Sequence, residues 1–193
     1  MFQIRIHGRG GQGVVSASEL LSVAAFEEGK FSQSFPSFGS ERMGAPVQAF
    51  ARISDEAITI REPVMEPDML IIQDPTLFNA IDVFEGVKTD GYLLINSSKT
   101  PEQLGIEDMT SQFPENHVIT IPATELALKY IKQAKPNTVL LGAFAAMSNM
   151  VKMPALESAI NAKFPSRIAQ PNIIATKAGY NLVMQMLSKA QEA

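Results

Sequence analysis

The residues whose types and spacing carry the clearest chemistry are Gly8, Gly10 and Gly13, within Gly8-Arg9-Gly10-Gly11-Gln12-Gly13. They match G-x-G-x-x-G, directly after an alternating apolar stretch and directly before an amphipathic one. Glycines at that spacing permit a tight turn and close backbone approach, and the helix that follows offers unpaired N–H groups to an anion. Arg9 adds a positive charge. Two readings stand side by side: the loop meets a phosphate, or its glycines let the helix pack closely on the sheet. A nicotinamide cofactor also requires an acidic residue about 20 residues on, at the end of the second strand. Phe31-Ser32-Gln33-Ser34-Phe35 has none, which counts against a free-standing NAD(P) enzyme.

Other polar groups invite weaker readings. Asp74-Pro75-Thr76 and Asn96-Ser97-Ser98-Lys99-Thr100 each follow an apolar run, where open α/β sheets place their crevices. They read first as a helix cap and a solvated turn. His7 and His117 lack metal-ligand spacing and a third ligand, so both read as structural histidines. No Ser–His–Asp order, P-loop lysine or paired carboxylate stands out.

The elements that position these groups follow from periodicity. Phe2 to His7 reads as a strand and Gln12 to Glu28 as a helix, with Gly29 past its end. Phe31 to Phe35 and Val47 to Ile53 read as strands. Ala57 to Ile60 is expected to pair back on the latter as a hairpin across Ser54-Asp55-Glu56. Asp68 to Gln73, Gly91 to Asn96 and Val118 to Ile121 read as buried strands. A helix is expected from Asp74 through Phe84. Others are expected over Ala123 to Ala134, Thr138 to Asn149, Pro154 to Lys163 and Asn172 to Gln191. The pattern predicts one domain over residues 1–193: a three-layer α/β/α, Rossmann-like fold with a mostly parallel, mixed sheet.

The chain of 193 residues is long enough for a sizeable core. Its net charge of −4 and lack of a Lys/Arg stripe argue against nucleic acid and anionic membranes as partners. The longest apolar stretch, Val139 to Met147, contains Gly142 and is too short to span a bilayer, so the expectation is a soluble cytoplasmic protein. With no cysteine in the sequence, cluster ligation, thiol catalysis and disulfides are excluded within the chain. The ten methionines read as core filler.

Gly8-Arg9-Gly10-Gly11-Gln12-Gly13-Val14-Val15 resembles the N-terminal glycine signature of the gamma subunits of 2-oxoacid:ferredoxin oxidoreductases. Ser34-Phe35-Pro36-Ser37-Phe38-Gly39-Ser40-Glu41-Arg42-Met43-Gly44-Ala45-Pro46-Val47 resembles that family's second signature, continued by Phe50-Ala51-Arg52-Ile53. The order and spacing of the blocks agree with the family. Phe38-Gly39 and Arg42-Met43-Gly44 are similar to the pyruvate and branched-chain 2-oxoacid branches. The 2-oxoglutarate branch more often carries tyrosine-glycine and arginine-glycine-glycine there.

The resemblance implies a reaction in which pyruvate and coenzyme A give acetyl-CoA, carbon dioxide and two electrons for ferredoxin. It implies alpha and beta subunits holding thiamine diphosphate with magnesium, and a delta subunit that, with beta, holds iron–sulfur clusters. This chain is then non-catalytic alone, with no metal and no catalytic residue of its own. It is expected to form part of the active-site and CoA entrance, and to form a homodimer when isolated. Gly8, Arg9, Gly10, Gly11, Gln12 and Gly13 are expected to meet a CoA phosphate or the partner subunits. Ser37, Phe38, Gly39, Glu41 and Arg42 are expected at the interface, Arg42 either meeting an anion or pairing with Glu41. Alternatives are a gamma subunit acting on 2-oxoisovalerate or 2-oxoglutarate, or a free-standing nucleotide- or CoA-binding module.

Overall fold

The computed structural model describes residues 1–37 and 43–191. Among them the strands are β1 (Phe2–Arg9), β2 (Phe31–Pro36), β3 (Pro46–Ser54), β4 (Met69–Ile72), β5 (Tyr92–Asn96) and β6 (Val118–Ile121). The α-helices are α1 (Val14–Glu27), α2 (Glu107–Thr110), α3 (Ala123–Tyr130), α4 (Asn137–Ser148), α5 (Met153–Lys163) and α6 (Ser166–Gln191). A 3₁₀ turn spans Pro75–Asn79.

The strands form one mixed sheet in the order β2-β3-β1-β4-β5-β6. β1, β4, β5 and β6 run parallel, while β3 is antiparallel to both β1 and β2. The strand alternation splits the apolar residues between two faces. Ile4, Ile6, Met69, Ile71 and Leu94 belong to a large core shared with α1 and α3 to α6. Leu70, Ile72, Leu93 and Ile95 belong to a smaller core with Leu77, Val83, Ile106 and Phe113. The α/β architecture with a mixed, mostly parallel sheet is the expected one. The second face is covered thinly, by the 3₁₀ turn, irregular chain and the single-turn α2.

α4 is apolar all round because it is enclosed: every residue from Asn137 to Ala145 is buried. It meets α6 at reciprocal glycines. A Cβ on Gly142 would stand 1.9 Å from the Thr176 carbonyl oxygen, and one on Gly179 would stand 2.2 Å from that of Val139. The two backbones touch, and no side chain fits between them.

The sequence reading needs correction in several segments. Ala57 to Ile60 forms no strand. Both edges of β3 are taken, by β1 and β2, so a hairpin partner has no open edge to join. The chain that follows it is held by buried arginines. The Arg52 Nη2 donates to the Glu62 carbonyl, and the Arg5 Nη1 to those of Val64 and Met65. The helix expected through Phe84 stops at Asn79; beyond it the Arg5 Nη2 holds the carbonyls of Val83 and Glu85. α3 ends at Tyr130 because Lys132 takes a positive φ of 62°. α6 begins at Ser166 rather than Asn172, running through Pro171. Proline inside a helix costs about 3 kcal/mol. Burial of Ala169 and Ile173, and the Thr138 Oγ1 bond to Asn172 at 2.9 Å, offset that cost.

Candidate functional site

The site is built where β1, β3 and β4 meet. β1 ends in the glycine turn, which is laced to the residues leading into β3. The Gly10 N–H donates to the Ala45 carbonyl at 2.9 Å and the Gly44 N–H donates to that of Gly10 at 3.1 Å. Gly13 takes φ 78° and starts α1. A Cβ there would lie 2.5 Å from Asn137 Nδ2 at the start of α4, so glycine meets both a backbone and a packing need. The first helical bond of α1 is Ala17 N–H to the Gly13 carbonyl. Among the described residues no side chain caps the preceding N–H groups, and no acidic residue stands in the first turn.

Those N–H groups open onto a cleft of about 490 Å³ lined by Gly10, Gly11, Val14, Val15, Met43 and Val47. Its walls are mostly apolar and Met43, 85% exposed, stands at the rim. Such a cleft suits an anion at the helix start beside an apolar neighbour.

Arg9 is held within the fold rather than aimed at the cleft alone. Its Nε and Nη2 donate to Thr76 Oγ1 at 3.0 and 2.7 Å, and its Nη1 donates to the Gly44 carbonyl at 2.9 Å. Its Nε also lies 3.4 Å from Asp74 Oδ2. Gln12 reaches the same carboxylate: its Nε2 donates to Asp74 Oδ2 at 2.8 Å, while its Oε1 accepts from the Arg9 N–H at 2.8 Å. Asp74 Oδ1 accepts from the Thr76 N–H at 3.0 Å and from its hydroxyl at 2.6 Å, capping the 3₁₀ turn. Burial pushes the Asp74 carboxyl up. The bonds from Thr76 and Gln12, with the Arg9 charge, outweigh this and hold it below its ordinary value.

Asp74 also borders a second crevice, at the carboxyl ends of β4, β5 and β6, with Gln73, Asn96, Ser97, Lys99 and Thr124. The helix-cap and crevice readings of Asp74 thus both describe its position. Asn96 donates to the Gln73 carbonyl at 2.7 Å and accepts from the Thr124 N–H at 3.0 Å, at the start of α3. The Gln73 amide, 1% exposed, has no hydrogen-bond partner for either polar atom among the described residues.

The two histidines differ in their surroundings. His117 stacks on Tyr92 at 4.1 Å and its Nδ1 faces the carbonyls of Asp90 and Gly91. His7 is 1% exposed with both ring nitrogens unpartnered among the described residues. Burial, and then the Arg5 charge, lower its pKa to about 3, so it is neutral at physiological pH.

Ser37 extends the β2–β3 pairing, donating its N–H to the Gln48 carbonyl at 2.9 Å. Phe38, Gly39, Glu41 and Arg42 lie outside the described residues. Sequence reasoning missed Asn137, whose contact with Gly13 joins residues 124 apart; only its place after Pro136 at a helix start hints at it. Among the described residues no three His, Asp or Glu side chains gather for a metal. An iron–sulfur cluster does not fit this chain, which has no thiol to ligate it. The arrangement can bind and position, and among the described residues it presents no nucleophile paired with a base.

Comparison with known proteins finds a family match. The family described as "Pyruvate ferredoxin/flavodoxin oxidoreductase" matches residues 3–182. The protein named pyruvate synthase subunit PorC of Methanosarcina barkeri is 49% identical over 162 residues, 84% of this chain and 86% of that protein. The pyruvate/ketoisovalerate oxidoreductases common subunit gamma of Pyrococcus furiosus is 40% identical over 180 residues, 93% and 96% of the two chains. The crystal structure of pyruvate oxidoreductase subunit PORC from Thermotoga maritima superimposes with a TM-score of 0.79 at 40% identity. It covers 93% of this chain and 95% of that one.

Proposed function

The chain belongs to the pyruvate ferredoxin/flavodoxin oxidoreductase family, and from that premise we propose that it is the gamma subunit of a pyruvate:ferredoxin oxidoreductase. The complex converts pyruvate and coenzyme A to acetyl-CoA and carbon dioxide and reduces ferredoxin. What carries this reading is the family match over nearly the whole chain, with relatives of similar length whose names are those of pyruvate oxidoreductase subunits. Alpha, beta and delta subunits complete the assembly. Thiamine diphosphate, magnesium and the iron–sulfur clusters belong to those partners, consistent with a chain that lacks cysteine. The complex works in the cytoplasm. No helix among the described residues is long and apolar enough to cross a membrane.

In this reading the chain acts as one gamma domain and performs no chemistry alone. Its glycine turn, from Gly8 to Gly13, faces a CoA phosphate or the partner subunits at the active-site entrance. The uncapped start of α1 and the apolar cleft beside it support that role. Ser37, Phe38, Gly39, Glu41 and Arg42 belong to the same entrance. Made alone, the chain pairs as a homodimer, covering surface meant for its partners. Sedimentation across micromolar concentrations tests this, and a strict monomer refutes it.

Reconstitution tests the assignment. The alpha, beta and delta subunits are assayed with and without this chain for pyruvate- and CoA-dependent reduction of ferredoxin. Activity that requires the chain, with no turnover by the chain alone, is the expected result. Full activity of the other three subunits without it refutes the reading.

A further inference from the structure

We infer that Asp74 is a positioning residue for the glycine turn. Acting through Gln12 and Arg9, it sets the shape of the entrance and thereby the binding of coenzyme A. The inference rests on the proposed role of that turn and assigns the residue that holds it in place.

Three loops meet at this one carboxylate. Its Oδ2 accepts from Gln12 Nε2 at 2.8 Å and stands 3.4 Å from Arg9 Nε. Its Oδ1 fixes Thr76, whose hydroxyl accepts from Arg9 Nε and Nη2. Arg9 then reaches the Gly44 carbonyl at 2.9 Å, next to Met43 on the cleft rim. Asp74 thus ties the turn after β1 to the turn after β4 and to the residues leading into β3. Gln12 and Arg9 lie inside the glycine sequence, where the glycines themselves supply no side chain to hold the loop. A loop of that composition stays in one shape only if something outside it fixes that shape.

The polarity of the network makes the inference testable with little change of shape. In Asp74→Asn, the remaining side-chain oxygen can still cap Thr76, but the new amide nitrogen then points a donor at the Gln12 Nε2 donor. Flipping the Gln12 amide moves that conflict to the Arg9 N–H, which needs Oε1 as its acceptor. Flipping the introduced amide moves it to the Thr76 N–H. Adding Gln12→Glu resolves the conflict, because both oxygens of the introduced carboxylate accept: one from the Arg9 N–H, the other from the amide introduced at position 74. The double variant keeps the net charge and restores the contact with donor and acceptor exchanged.

The experiment compares wild type, Asp74→Asn, and Asp74→Asn with Gln12→Glu, in two measurements. The first is amide hydrogen exchange of the full chain over residues 8–16. Faster exchange in the single variant, recovered in the double, is expected. The second is the reconstituted complex, where the single variant is expected to raise KM for CoA about tenfold with kcat nearly unchanged. Unchanged exchange in Asp74→Asn overturns the clamp itself. Altered exchange with unchanged KM overturns its role in CoA binding, and faster exchange that the double variant does not recover overturns its action through Gln12. A wild-type chain that leaves the other subunits' activity unaffected refutes the gamma-subunit reading, and the CoA role falls with it. The exchange data still decide whether Asp74 holds the turn.

Discussion

Gly142 of α4 and Gly179 of α6 face opposite sides of one backbone-to-backbone crossing, each lying where a Cβ would meet a carbonyl oxygen of the other helix. The contact fixes how closely α6 lies against the central helix. Gly142→Ala is expected to destabilise the fold by about 3 kcal/mol, the upper end for a single overpacked methyl group, because the obstacle is backbone and not a mobile side chain. Urea unfolding checks this. A change under about 0.5 kcal/mol, the scale of an ordinary surface substitution, would show that the helices separate freely.

His7 makes stability depend on pH in a defined direction. Its pKa is about 3 in the fold against 6.5 in an open chain. Below pH 6.5 the unfolded state takes up a proton that the folded state refuses, so stability falls with pH until about 3. The slope from this group is about 1.4 kcal/mol per pH unit across that window. His7→Phe is expected to flatten this part of the acid limb. Equal slopes for both proteins between about pH 6 and 4, inside that window, would refute it.

Arg5 is buried among neutral acceptors, the carbonyls of Val64, Met65, Val83 and Glu85, with no carboxylate within salt-bridge distance among the described residues. Its role is to fasten irregular chain to the sheet. Arg5→Leu leaves those carbonyls without their donor and is expected to cost roughly 3 kcal/mol or more. Trypsin cleavage after the exposed Arg61 should quicken. An unchanged cleavage rate at that site would remove the fastening role.

Gln73 lines the second crevice with an amide that has no hydrogen-bond partner among the described residues. Gln73→Met removes two unsatisfied polar atoms at similar volume and is expected to stabilise the chain by about 1 kcal/mol. Thermal melting checks the sign. A clear loss of stability would show that the amide has a partner after all, such as a bound water.

What the sequence made legible is what local pattern dictates. The apolar runs from Met69 to Ile72 and from Tyr92 to Asn96 announce buried strands, and the glycine turn announces a strand passing directly into a helix. The hairpin expected at Ala57 to Ile60 failed for a non-local reason, since nothing near those residues shows that β1 and β2 already fill both edges of β3. The Asp74 clamp was hidden in the same way: Gln12 and Arg9 stand 62 and 65 positions from it, and only the sheet brings them together. Asp74 was visible as a capping residue because capping involves its immediate neighbours. Its second oxygen was not, because that partner lies on another loop.

The place of β1 in the sheet has a consequence for how the protein is made. β1 is an inner strand, yet it precedes both of its neighbours, β3 and β4, in the chain. At ribosomal speeds of roughly 5–20 residues per second, the interval between Arg9 and Met69 is on the order of 3–12 s. During that time Ile4 and Ile6 have left the ribosome with no complete sheet to join. The nascent chain is therefore expected to carry an incompletely paired, apolar strand for seconds, the kind of exposed surface that makes a chain prone to aggregate. Slower growth at lower temperature and ample chaperone supply are the conditions under which this chain should accumulate in folded form.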